Sequence, residues 1–459
     1  MILLLAACAE NPSPETEDSA SVALVCTDEV TATLHVTAVA TAPRLEWSTA
    51  TAISSRIRFT NGESRTRESA VTAPGTEHAA VLVGILPQAE FAYQVLVEDD
   101  DGVRCVGEGS GTNGPLPAGV PQVTSTVAAG STPGLLVVPL LSGAQFQDVW
   151  LVVFDEEGRV VWAVPPIPTA DVVVYVTTAA FSKDGSGVLF NVQAQSATGP
   201  GWIGKVTFDG VYSTVAEVVG LHTDFVELEQ GRLAALTWEV RDVGDFRLLG
   251  DHVVVVEGGV ATSIWNAFDS VPFDTEGPWS TGFYPSDPTV SDWSHVNSIS
   301  WDGASNDLVV TMTASDGLAR IDADTGEMLW LYGKGMGDFS GAEGLTAAPH
   351  SAEILPSGNV LVFNRDDFLG GPVEDVCSFA AELAVGESEM AEVGQWTAEA
   401  CTLTTYLGLA RRLSDGVTLL NWCSAGRIDQ VSDAGETVWS VGLGAGHGFG
   451  NSSFLPTAQ

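Results

Sequence analysis

Positive charge is scarce in this chain. Its 459 residues carry 18 lysines and arginines against 59 aspartates and glutamates, a formal charge of −41. A polyanion would be repelled, which excludes general binding of DNA or RNA. The same field opposes any anionic substrate, so one could bind only where local donors or cations override it. No run of eighteen apolar residues occurs, so no membrane-spanning helix is expected. Histidine and cysteine are few, at seven and six. The cysteines form no CxxC pair and no Cys/His spacing suited to structural zinc, and neither a metal nor another cofactor is expected. The DEEG, DADTG and SDAG turns resemble loose calcium loops but lack the EF-hand spacing, and read as hairpin turns.

What is present is material for strands. Hydrophobic residues make up 45% of the chain, enough for a packed core, and 49 glycines punctuate it. Valine and threonine are plentiful, helix signals are few and turn dipeptides recur, which predicts an all-β fold of short antiparallel strands. The N-terminus, MILLLAACAENPSPETEDSAS, reads as a short lipoprotein-type signal over residues 1–8, with Leu5-Ala6-Ala7 preceding a lipidation candidate, Cys8. A disordered tether over residues 9–20 follows. This arrangement predicts an extracytoplasmic protein, periplasmic or at the cell surface, held to a bacterial membrane only through a lipid anchor. Cysteine placement agrees with an oxidising compartment. Cys26 and Cys105 bracket one small region and Cys377 and Cys401 a polar excursion, so these are the disulfide candidates, with Cys423 a buried free thiol.

Residues 21–112 hold evenly spaced strands such as VTATLHVTAV, RLEWSTA, SSRIRFT and FAYQVLVED, the pattern of a small fibronectin- or immunoglobulin-like β-sandwich. His35 and His78 fall here and read as strand-surface residues. The link GTNGPLPAGVPQV closes this region, and over residues 120–459 a two-hairpin repeat takes over. One hairpin places an Asp/Gly turn before a strand ending near Trp, as in LVVFDEEGRVVWAV and LARIDADTGEMLWLYG. Its partner is typified by NSISWDGASNDLVVTM and SAEILPSGNVLVFN. Each pair supplies four strands, one blade of a β-propeller, and six blades are expected, the last piece being the C-terminal GNSSFLP.

Three of the seven histidines occupy one phase of this repeat: His222, His295 and His350 each stand at the start of the first strand of a hairpin. In a propeller those first strands line the central channel, so the three imidazoles should converge at its mouth. Three such side chains could hold a transition metal, relay protons, or include a nucleophile with helpers. The aromatic residues Trp202, Trp238, Trp265, Trp279, Phe283, Tyr284 and Trp293 are candidates to stack on a ring, while Trp162, Trp265, Trp330 and Trp439, at the ends of blade strands, read rather as core.

The blocks LHTDFVELEQGRL, DWSHVNSISWD, GLARIDADTGEMLWLYG and PHSAEILPSGNVLVF resemble the bacterial arylsulfotransferase (aryl-sulfate sulfotransferase) family, over roughly Gly134 to Leu455 and most strongly from Asp292 to Asn364. The resemblance implies a six-bladed propeller with a small N-terminal β domain, working outside the cytoplasm without a cofactor, on aryl sulfates and phenols. It implies His350 as nucleophile, His222 and His295 as supporting histidines, and Asn297 as their neighbour. One departure stands out. The family's arginine at the end of the strand after the HVNS block is Thr313 here, and Arg365, at the end of the strand after His350, is the candidate to replace it at the substrate. Two other readings rest on the same histidines: a catalytically inactive propeller serving as an extracytoplasmic binding module, which the missing arginine favours, and a metal-dependent protein with Asp224 near the ligands.

Overall fold

The computed structural model describes residues 24–99, 102–143, 148–167, 175–272, 280–281, 284–339, 344–365, 376–398, 400–413 and 416–456. The leader, Cys8 and the tether lie outside them, as do Trp279 and Phe283. The described residues are almost all strand and turn, as the period-2 patterning predicts. None of their helices is long and apolar enough to cross a membrane.

The first unit is built around one 17-residue strand, Arg44–Thr60. Its first part pairs with Thr33–His35 and Gly75–Val81, and its second part with Thr66–Glu68 and Glu90–Asp99. Leu45, Trp47, Ile57 and Phe59 share one face and close over Phe91, Val95 and Leu82, while Glu46, Ser48 and residues 50–52 face water. Cys26 is bonded to Cys105, and closing a loop of that length restricts the unfolded chain by roughly 4 kcal/mol. Cys377 and Cys401 form the second disulfide, and Cys423 is buried and free. His78 departs from expectation. It is buried, stacked on Trp47 at 5.4 Å and held by Thr49 and Thr72, because Gly75–Val81 turns this residue inward over the core.

This unit docks on the rest of the chain through the DEEG turn. Arg67 pairs with Glu156, both buried, Arg65 with Glu157 at 2.7 Å, and Arg159 with Asp155 at 2.7 Å. Asp155, Glu156 and Glu157 crowd together as metal ligands would, but the three arginines already balance their charge.

Among the described residues, six further sheets follow in chain order, antiparallel except where Phe246–Glu257 pairs in parallel with Ser291–Asp292. Their first strands neighbour one another, and side chains stitch them together. Asp224 accepts from the Thr178 hydroxyl at 2.9 Å and from the Ile299 amide at 3.1 Å. The Ser300 hydroxyl donates to Ala352 O at 2.6 Å, and the Ala410 amide to Ser351 Oγ at 3.0 Å. The ends of the chain close the series twice. Ser453–Pro456 pairs with Gly134–Ser142 in the first of the six sheets, and Val123–Val127 pairs with Thr437–Leu443 in the last. This is a β-propeller, and its first strands surround the channel.

Candidate active site at the histidine mouth of the channel

His222 lies in the strand Leu221–Glu227, His295 directly before Val296–Asp302, and His350 in Pro349–Ile354. In all three hairpins the pairing register slips at or just after the histidine, between His222 and Phe225, Val296 and Ser298, and Pro349 and Ser351. A bulge of this kind re-aims a side chain that strict alternation would send elsewhere. Thr223, His295 and Ala348 accompany the bulges with left-handed backbone, at φ of 42°, 45° and 46°.

His222, His295 and Asn297 line one cavity of about 190 Å³, together with Trp238, Asp251 and Asp292. His222 is buried, its ring stacked on Trp238 at 4.9 Å with an interplanar angle of 6°, and Tyr284 meets the other aromatic ring edge-on at 5.6 Å. Its Nε2 lies 2.9 Å from Asp251, in an ion-pair contact not aligned as a hydrogen bond. His295 Nδ1 lies 2.5 Å from the Asp292 carboxylate. A carboxylate only accepts, so the proton of that bond sits on Nδ1.

His350, Thr313 and Arg365 form a second cluster bonded to the first. Asn297 donates to Thr313, whose hydroxyl donates to Pro349 O at 2.7 Å, and Thr311 donates to Asn297 Oδ1 at 2.7 Å. Arg365 is buried, and its Nη2 lies 3.4 Å from Thr313 Oγ1. The guanidinium thus reaches from the next sheet to the position of Thr313. Burial lowers its pKa to about 10, and it stays charged at neutral pH. His350 Nδ1 is 3.0 Å from Gly408 O. A carbonyl only accepts, so Nδ1 holds the proton and Nε2 keeps its lone pair. Burial, with the charges of Arg365 and His295 adding to it, holds the imidazole well below its ordinary pKa, against the Gly408 bond. His350 is therefore neutral at pH 7. Only glycine suits position 408: its φ is 127°, and a Cβ there would stand 2.3 Å from the Phe363 ring.

Asp224 is not with the histidines. It lines a separate cavity of about 310 Å³ with Trp301 and Arg411, towards the far ends of the first strands. Burial raises its pKa to about 6, and its oxygens are taken by Thr178 and backbone amides. Among the described residues, the three histidines do not bring ligand atoms within 4.8 Å of one another. Of the aromatic candidates, Trp238 and Tyr284 are at the site. Trp293 stacks on Phe268 and Trp265 is buried in a sheet core. Trp162 and Trp439 are buried and Trp330 is half-buried.

Sequence reasoning missed Asp251, Asp292 and Gly408. Asp292 had a signal, standing three residues before His295 in DWSH. Asp251 had none, since it sits in an apolar strand of a hairpin without repeat features.

Comparison with curated proteins finds no match. Solved structures with similar chains include the nidogen/laminin complex, at 10% identity and TM-score 0.43, covering 71% of this chain and 100% of that one. Another is the periplasmic gluconolactonase of Pseudomonas aeruginosa, at 12% identity and TM-score 0.40, covering 72% and 100%. A third is the α-L-arabinofuranosidase of Fusarium graminearum with arabinobiose, at 12% and 0.37, covering 62% and 82%. The profile of the Arylsulfotransferase (ASST) family matches residues 122–368, which is more than half of the sequence and includes all three histidines, Asn297, Thr313 and Arg365. The chain belongs to the arylsulfotransferase family.

Proposed function

We propose that the protein transfers a sulfuryl group from an aryl sulfate to a phenol through a sulfohistidine at His350. The observation that carries this reading is the state of His350: buried and neutral, its proton tied to Gly408 O so that Nε2 keeps its lone pair, with the Arg365 charge felt at the ring. Nε2 attacks sulfur as the S–O bond to the aryl group breaks, and the departing phenolate takes a proton from His295. A second phenol returns a proton to His295 while its oxygen attacks sulfur and the N–S bond breaks. Arg365, in place of the arginine lost at Thr313, stabilises the sulfuryl oxygens together with Asn297. Trp238 and Tyr284 bound the space for the aromatic ring.

The same reading treats the six sheets as six blades and the first unit as a β-sandwich. The two disulfides fit an oxidising compartment, and Cys8 is the proposed lipid attachment site. The test is release of phenol from a chromogenic aryl sulfate with excess acceptor, on wild type and His350→Ala. Acceptor-dependent release that disappears in the variant is the expected result. A protein silent with every donor tried would instead support a binding propeller without catalysis.

A further inference from the structure

Asp251 is buried at the centre of the histidine mouth, and the reaction steps do not use it. Its two oxygens do different things. Oδ1 lies 2.9 Å from His222 Nε2. Oδ2 accepts from the Ser294 hydroxyl at 2.5 Å and from the Val296 amide at 2.9 Å. Residues 294 and 296 are the two neighbours of His295, so one carboxylate touches one histidine and grips the chain on both sides of another. Burial opposes ionisation of Asp251, but the His222 imidazole, the Ser294 hydroxyl and the Val296 amide together outweigh it and hold the carboxyl below its ordinary pKa.

The grip has work to do. His295 has φ of 45°, a left-handed conformation that is strained for a non-glycine residue. It persists only where neighbours over-determine it. Three hydrogen bonds bracket it: the two into Asp251 and one from the Thr313 amide to His295 O at 3.1 Å. Asp251 comes from the long strand Phe246–Glu257 of the His222 sheet, while His295 leads into the next sheet. The carboxylate therefore spans the junction that the two histidines must share.

We propose that Asp251 is a positioning residue that fixes His222 and His295 relative to each other across two sheets. Its consequence for turnover rests on the sulfuryl-transfer reading; its effect on the two rings does not. Asp251→Asn keeps the shape and one acceptor but removes the charge. In protein labelled with 15N at histidine, long-range 1H–15N spectra resolve the ring patterns of seven histidines. Asp251→Asn should move the patterns of both His222 and His295 and leave those of His35, His252 and His447 in place. Ser294→Ala removes only one bond beside His295, and should move His295 without His222. Transfer by Asp251→Asn should fall on the order of 100-fold in kcat, with KM changed by less than about threefold.

A folded Asp251→Asn whose His295 pattern matches wild type overturns the proposal. Should that variant not fold, Ser294→Ala decides, and an unchanged His295 pattern there is equally fatal. If wild type transfers nothing, the sulfuryl-transfer reading fails while the spectra still test the shared grip.

Discussion

Among the described residues, three propeller sheets carry His222, His295 or His350 at the start of the first strand, and the sheets led by Ala179–Phe181 and Leu409–Arg412 carry no histidine there. In the first group the pairing of first and second strands slips by one or two residues at or beside the histidine. In two others, Ala179–Phe181 and Leu409–Arg412 pair with the strand that follows without a break. The two ends of the histidine-bearing hairpins differ as well. At the turns far from the histidines, left-handed backbone falls on Gly231, Asn306 and Gly358, and also on Gln230; glycine and asparagine suit it. At the mouth it falls on Thr223, His295 and Ala348, where it costs. In the histidine-bearing hairpins, strain and irregular pairing thus coincide with the side chains proposed for chemistry; Leu407, beside Gly408, is left-handed at φ of 56° as well.

The sharpest way to break this comparison is at Arg365. Arg365→Met should lower kcat/KM for an aryl sulfate on the order of 1000-fold, and Arg365→Lys should recover little, since a point charge cannot present a fork to sulfuryl oxygens. Steady-state kinetics with one donor and one acceptor measures both. An active Arg365→Met would detach this guanidinium from the site.

Gly408→Ala tests the acceptor of His350. The added carbon meets Phe363, so the carbonyl that fixes the His350 tautomer must move. Turnover should fall on the order of 100-fold, with a loss of about 2–3 kcal/mol in denaturant unfolding.

Asp224, two residues beyond His222, belongs to the other side of the comparison. Asp224→Ala strands the Ile299 and Phe225 amides and should cost about 2–4 kcal/mol of stability. The folded fraction should keep its kcat. A kcat that collapses in folded protein would make Asp224 part of the chemistry.

The smallest effect expected is with pH. The folded His350 pKa is depressed below that of the unfolded chain. Below about 6.5 the unfolded chain therefore takes up a proton that the folded protein refuses. Stability should fall as pH drops below that value, until the folded pKa is reached, and His350→Gln should remove this part of the slope. The matching kinetic outcome is that kcat/KM shows no loss near pH 6.5 from protonation of His350. Thermal unfolding and initial rates between pH 5 and 8 follow both.

Sequence alone determined the all-β class, the hairpins and their turns, and the phase that brings His222, His295 and Asn297 to one cavity, and it offered as candidates the two cysteine pairs that the fold joins. Those are consequences of local rules: period-2 alternation, turn residues and a repeated unit read the same wherever the unit sits. It also marked Arg365 for the space opened by Thr313, though not that the guanidinium would lie 3.4 Å from that hydroxyl. Tertiary structure decided the rest. Asp251 meets Ser294 across 43 residues and Asp224 meets Ile299 across 75, and His78 turns inward because Trp47 awaits it. These contacts join different sheets or pair strands distant in sequence. Their partners are fixed by where whole strands pack, and the local pattern of either strand holds no trace of them.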